Sequence, residues 1–311
     1  MNILKKSNQN LNNDMKTIIT IEALVAIDAI HRYGTFALAA KSLHKVPSAL
    51  TYTVKKLEYD LKVSLFNRDK QRATLTQAGK KVLEQGREIL KATEQLRKSV
   101  QSVQGEWDGE LKIARDSIIS EQKLFDTLHL FNKTKINADI YLSEEVLGGS
   151  LDAIENNRAD IVVGLTGDFP KTKLNTFKIG EVQFVFALSK NHPLVKIKDT
   201  LTSDALKNYP TIVVSDTSKW IPPKDSIIVN QTKVIKVHSI MSKLKLQKQG
   251  LGIGFLPLHL AHPYILKGDL VVKECNIPKP SENVYIAWHK DYIPSKSFNW
   301  FLEKFKKQQW F

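Results

Sequence analysis

The chain has 311 residues, enough for about two domains of usual size. Hydrophobic residues make up 42% and charged residues 25%, which excludes an intrinsically disordered chain. The net charge of +14 favours a polyanionic partner, and residues 1–105 carry most of it, with 18 Lys and Arg against 9 Asp and Glu. The single cysteine, Cys275, allows no internal disulfide and reads as a small core filler. No apolar run approaches a membrane span, and the N-terminus lacks the apolar core of a secretory signal. The expected location is therefore the cytoplasm, with no membrane partner.

Residues 1–19 read as a disordered, Asn-rich lead-in, with Met1 and Met15 both candidate starts. Thr20 to Tyr33 reads as a helix burying Ile21, Leu24, Ile27 and Ile30. Gly34 is its C-cap, and Thr35 caps a short helix from Phe36 to Leu43. Ala39 and Ala40 in that helix allow close approach of a neighbour. After the turn His44-Lys45 comes a helix over Val46 to Asp60, with Pro47 in its first turn. Leu50, Val54, Leu57 and Leu61 share one face of it. Ser48, Thr51, Tyr52 and Lys55 share another. Alone, this is an amphipathic helix with a solvated polar face. Behind a tight turn and ahead of a basic segment, it has the layout of a helix-turn-helix whose polar face suits a DNA major groove.

Val63 to Phe66 and Ala73 to Leu75 read as two short strands around a basic tip. Arg68, Lys70 and Arg72 in that tip suit phosphate or minor-groove contact. The expected DNA-binding set is therefore Thr35, Ser48, Thr51, Tyr52, Lys55, Arg68, Lys70 and Arg72, in a domain over 20–79. A linker helix follows over 76–104, capped by Thr76. Val82, Ile89, Leu96 and Val103 recur every seven residues along it, and Gly86, Thr93 and Val100 form a parallel row. That pattern predicts a dimerisation seam with the same helix of a second subunit. Packing on the downstream domain is the alternative.

Beyond two glycines in 104–109 the texture changes to alternating strands and helices over 110–311. Strands are predicted at 111–114, 139–142, 161–165, 184–188, 211–214, 252–257 and 285–288. Helices are predicted at 119–131, 149–156, 201–207, 239–250 and 297–307. This is an α/β pattern with mostly parallel sheets, in two clusters around a cleft. The clusters are subdomain I, about 110–182 and 284–311, and subdomain II, about 183–283.

With these pieces in order, the chain resembles the LysR-type transcriptional regulators over nearly its whole length from about Thr20. The resemblance rests on F-A-L-A-A-K-S-L-H at 36–44, S-A-L-T at 48–51, Leu57-Glu58, L-F-N-R at 65–68 and L-T-Q-A-G at 75–79. N-H-P-L at 191–194 and G-L-G-I-G-F-L-P at 250–257 match more weakly. The resemblance implies an α+β and α/β chain: an N-terminal winged helix-turn-helix, a long linker helix, and a C-terminal periplasmic-binding-protein-like domain of two α/β subdomains. It also implies a homodimer or homotetramer on double-stranded DNA, a small-molecule effector, and RNA polymerase as a partner if the protein is an activator. Two departures stand out. Val46-Pro47-Ser48 replaces the S-Q-P found in many members, so base reading shifts to Ser48, Thr51, Tyr52 and Lys55. Lys62 stands where many members carry Gly.

No catalytic constellation, phosphate loop or dinucleotide fingerprint is present, so no enzyme activity and no cofactor are expected. His259 and His262 lack the further ligands a metal site needs. Ligands of α/β domains sit at strand C-termini and helix N-termini. The effector candidates are accordingly Arg115, Ser117, Ser143, Thr166, Thr217, His238 and Ser239, each of which could equally be a loop cap. Ser117, Thr166 and Ser239 would donate hydroxyls, and Arg115 would be the counter-charge to a small organic or aromatic acid. A sensor protein whose basic N-terminal domain only holds a partner is the competing reading; it would show no DNA binding at low salt.

Overall fold

A computed structural model describes residues 18–67, 72–103, 108–224 and 233–311. The chain forms two compact units, one up to Val100 and one from Gln101. Most of the polar lead-in, together with Arg68 and Lys70 of the basic tip, lies outside the described residues.

The first unit opens with α1 (Ile21–Tyr33), α2 (Phe36–Ser42) and α3 (Pro47–Leu61). Thr20 caps α1 by accepting from the Ala23 N–H at 3.1 Å, and Thr35 caps α2 by accepting from Leu38 at 3.2 Å. Gly34 ends α1 in the left-handed region at φ 75°, and its N–H donates to the Ile30 carbonyl. Val46 offers α3 no side-chain cap. The core joins Ile27 and Ile30 of α1, Ala39 and Ala40 of α2, and Leu50, Val54 and Leu57 of α3. Ile21, predicted in the buried face of α1, is exposed instead.

A two-stranded wing follows, with β1 (Phe66–Asn67) antiparallel to β2 (Thr74–Leu75). The first strand starts later than predicted because Leu65 is occupied by other bonds. Its N–H and that of Phe66 donate to the Glu58 carboxylate, at 2.7 and 3.2 Å. Its carbonyl accepts from the Thr76 N–H at 3.0 Å. Gly79 packs against that same carbonyl, where a Cβ would lie only 2.1 Å away. Thr76 caps the long helix α4 (Gln77–Val103) through the Gly79 N–H.

The seven-residue row along α4 does not act as one seam. Val82 packs into the core beside buried Leu83, and Gly86 lies against Leu24. Arg87 donates to Asp28 of α1 at 2.8 Å. Only beyond this do apolar side chains stand exposed: Ile89 at 44%, Leu96 at 64% and Val100 at 60%. The side chain of Val103 lies outside the described residues.

The second unit is built on a five-stranded sheet. Its chain order is β3 (Glu110–Asp116), α5 (Glu121–Phe131), β4 (Asp139–Glu145), α6 (Gly149–Glu155), β5 (Ile161–Leu165) and β6 (Leu174–Val182). The chain then enters a second layer: β7 (Phe184–Ser189), a 3₁₀ turn at Pro193–Lys196, α7 (Ser203–Leu206), β8 (Thr211–Val214), β9 (Val234–Val237), α8 (Ile240–Lys248), β10 (Phe255–Pro257), α9 (Leu258–Leu266) and β11 (Leu270–Val272). It returns through β12 (Glu282–His289) and ends in α10 (Lys296–Lys307).

The large sheet has the order β4-β3-β5-β12-β6, and the second layer holds β10-β7-β11 and the pair β8-β9. Among the strands of the described residues, β3-β4, β3-β5 and β8-β9 pair in parallel. β12 runs antiparallel to β5 and β6, and β10 and β11 run antiparallel to β7. The expectation of mostly parallel sheets is thus corrected. A strand that returns from the far layer enters the sheet in the opposite sense, because no helical crossover turns it round. Strand β6 was not predicted because it is an edge strand with largely exposed polar positions. Leu111, Ile113, Ile161 and Val163 of the sheet bury against Phe298, Phe301 and Phe305 of α10, and Trp310 closes the same core.

Replacing Glu58 with Ala leaves the N–H groups of Leu65 and Phe66 without their carboxylate. The expected loss is roughly 1.5–3 kcal/mol of stability, read by denaturant unfolding of the full chain; an unchanged midpoint would refute the role given to Glu58.

Candidate functional site

Burial of Leu50, Val54 and Leu57 turns the opposite face of α3 to solvent. Ser48 and Lys55 are exposed, and Tyr52 is 68% exposed. Lys56 and Tyr59, which sequence reasoning passed over, stand on the same open helix. Thr51 is half-buried, and its hydroxyl donates to the Pro47 carbonyl at 2.9 Å. It can still accept a bond but has no free proton to offer. Thr35 is half-buried and serves as the cap of α2. Arg72, the described cation of the wing, is exposed beside Gly34.

In the second unit, loops at the carboxyl ends of β3, β4, β5 and β8 surround a cavity of about 320 Å³. That is the low end of the small-molecule range. One wall is Asp116, Ser117 and Ile118, with Val146, Leu147 and Thr166. The facing wall brings apolar Phe184, Val214, Ile240 and Phe255, and charged Lys224, Lys243, Lys279 and Glu282. Ser117 and Thr166 therefore line the cavity. Arg115, Ser143, Thr217, His238 and Ser239 are not among its lining residues.

Their positions explain why. Arg115 is buried, donates to the Ile119 carbonyl at 2.6 Å, and pairs with Glu144. It is a neutralised structural cation and not a counter-charge waiting for an acid. Ser143 sits within β4, paired with Ala114. Ser239 caps α8 by accepting from the Ser242 N–H. His238 is exposed just before that cap.

Thr217 belongs to a strap that follows β8 and crosses to the other wall. Its hydroxyl accepts from the Val146 N–H at 2.9 Å and donates to Glu145 at 2.6 Å. Asp216 accepts from the Gly148 N–H at 2.9 Å. Asp152 of α6 is wholly buried and accepts from the N–H groups of Trp220 and Ile221, at 3.0 and 3.1 Å. Arg158 completes the group by bonding Asp152 at 2.9 Å and pairing with Glu145. A second link runs from His259 of α9 to the Ile118 carbonyl, at 2.8 Å.

Two groups on the cavity wall are pushed off their ordinary ionisation. Burial raises the Asp116 carboxyl to about 7, against the pull of hydrogen bonds from the Ile118 N–H and the Ser150 hydroxyl. Burial, with neighbouring Lys279, lowers the Lys243 ammonium to about 7. Lys243 was missed in the sequence, although a signal existed. It lies three residues after Ile240 and four before Gln247, on the buried stripe of α8. A lysine at an apolar position of a helix is worth singling out.

A three-helix unit with a wing and an exposed polar helix face, followed by a two-layered α/β unit around a small cavity, defines a DNA-binding module coupled to a ligand-binding module. The chain matches the family models described as "Bacterial regulatory helix-turn-helix protein, lysR family" over residues 21–80 and "LysR substrate binding domain" over 104–310. It therefore belongs to the LysR family of transcriptional regulators. The HTH-type transcriptional regulator YeeY of Escherichia coli K12 is 35% identical over 87% of this chain and 88% of its own length. PunR, an HTH-type transcriptional regulator of the same strain, is 30% identical over 90% of this chain and 91% of its own. Full-length LysG from Corynebacterium glutamicum, solved with bound effector Arg, shares the fold: TM-score 0.54, 19% identity, 92% of this chain and 96% of that one. These matches do not favour the reading as a sensor with a mere partner-holding N-terminal domain.

The raised Asp116 acidity has a signed consequence. Between the ordinary carboxylate range and about pH 7 the folded protein holds a proton that the unfolded chain releases, so this group removes stability as pH rises through that window. Asp116→Asn holds no such proton. Its unfolding temperature should fall less than that of the wild type between pH 5 and pH 8, in thermal scans at both pH values. Parallel declines would mean that Asp116 ionises normally.

Proposed function

We propose that α3 is the helix that enters the major groove, with Ser48, Thr51, Tyr52 and Lys55 toward the bases and phosphates. The wing, through Arg72 and with Arg68 and Lys70 of the same tip, flanks it on the duplex backbone. The effector binds in the cavity between the two layers of the C-terminal unit and favours one arrangement of the walls over another. The observation that carries this reading is the division of α3: three buried leucine and valine positions on one side, and an open face of hydroxyl, aromatic and basic groups on the other. Excess positive charge in the first third of the chain supports it.

The exposed residues Ile89, Leu96 and Val100 support pairing of α4 with its copy in a homodimer, which further contacts could extend to a homotetramer. Such a dimer would read a two-fold DNA site in the cytoplasm, and an activator of this kind would also contact RNA polymerase. The strap through Thr217 supports a switching role for the cavity, since a ligand placed between the walls competes with or reinforces the bonds that join them.

The test is fluorescence anisotropy of the full chain on DNA from the intergenic region beside its gene, compared with random duplex. The double variant Thr51→Ala, Tyr52→Ala should reduce the operator-to-random affinity ratio roughly fivefold or more. An equal loss on both DNAs would remove these two from the base-reading set. Lys55→Ala should weaken both DNAs and flatten the slope of log K against log salt by about 0.9 if it contacts one phosphate.

A further inference from the structure

Lys243 is a buried lysine with no acidic partner among the described residues. It is 6% exposed, yet among the described residues no hydrogen bond or ion pair reaches its ammonium. Its place is built. Ile240, Leu244 and Gln247 of α8 are buried with it, and the Gln247 amide donates to the carbonyls of Ala187 and Gly254, tying the helix to the strands beneath. Gly254 makes room for the end of the lysine: a Cβ there would lie 3.1 Å from both Cε and Nζ. The side chain then lines the cavity.

The other charges on these walls are committed or open to solvent. Lys279 bonds Glu282 at 2.5 Å and lies over the Phe184 ring at 4.2 Å. Lys224 is exposed. Asp116 accepts from Ile118 and Ser150. Burial disfavours an ammonium unless an anion replaces the water it has lost. Burial, with Lys279 nearby, holds the Lys243 ammonium below the ordinary lysine range, and a carboxylate bound beside it would act in the opposite direction.

We propose that the ligand of this cavity is a monocarboxylate, whose carboxylate pairs with Lys243 and whose apolar body packs on Phe184, Val214, Ile240 and Phe255. This deepens, and rests on, the reading of the cavity as the effector site. A single charge follows from a single uncommitted buried cation, since a phosphate dianion calls for several converging donors. On the opposite wall Ser117 and Thr166 are left to hydrogen-bond the far end of the ligand.

The experiment uses the full-length protein and four probes: hexanoate and phenylacetate, and their uncharged counterparts hexanamide and phenylacetamide. Inorganic phosphate is a fifth, and ionic strength is held constant with sodium chloride. Thermal unfolding and calorimetric titration are read on the wild type, Lys243→Met and Lys243→Arg. At least one acid should raise the unfolding temperature of the wild type while its amide does not. Lys243→Met should lose about tenfold or more in affinity for that acid, and Lys243→Arg should retain more of it.

The proposal is overturned if neither acid binds the wild type, if amides bind as well as acids, if phosphate alone binds, or if Lys243→Met binds the acid unchanged. The acid-against-amide comparison on the wild type decides the matter even if a variant fails to fold. Operator affinity separates the two readings. An acid that binds through Lys243 but leaves operator affinity unchanged keeps the anion seat and removes the effector role. An amide that binds and changes operator affinity does the reverse.

Discussion

The C-terminal unit depends on how one buried carboxylate is satisfied. Asp152 has no access to water, and an ion in that position is tolerated only when paired and hydrogen-bonded. Arg158 supplies the charge, while the backbone of Trp220 and Ile221 supplies the donors. Those donors come from the strap after β8, so the electrostatic need of one layer is met by the chain of the other. Thr217 and Asp216 repeat the pattern on Glu145, Val146 and Gly148. The cavity is what remains between walls joined in this way.

The same rule organises the first unit at smaller scale. The Glu58 side chain reaches out from α3 and accepts from two backbone N–H groups at the start of the wing, so helix and wing keep a common geometry. Asp28 receives both Arg32 and Arg87 and holds the long helix against α1. Arg115 and Glu144 neutralise each other beside the cavity. Lys243 breaks the rule on the cavity wall. On that wall burial displaces the ionisation of both Lys243 and Asp116, and groups displaced in this way gather at functional sites.

The two units were not equally legible in the sequence. In the first, local patterns suffice. A 3.6-residue period names the buried stripe of α3, glycine and threonine mark helix ends, and the polar residues left over form the exposed face. In the second, the loops at strand ends were found by the rule that ligands gather there, and Ser117 and Thr166 followed. Arg115 was misjudged because a basic residue at a strand end looks the same whether it faces a ligand or Glu144, 29 positions along the chain. The heptad row of α4 was misjudged in part for a related reason. Val82 is apolar at the right spacing whether it faces a second subunit or the core of its own domain.

The sequence by itself determined the order of the two family-matched regions, the family, and the amphipathic helix α3 with its outward face, because these follow from motifs, periodicity and caps read locally along the chain. Tertiary structure decided which charges are spent and which remain. It neutralised Arg115, used Thr217 and Ser239 as ties and caps, and placed Lys243 on the cavity wall with no acidic partner among the described residues. The physical reason is range. Helix periodicity and capping act over three or four residues, whereas the partner of a buried charge is chosen by packing between segments far apart in the chain.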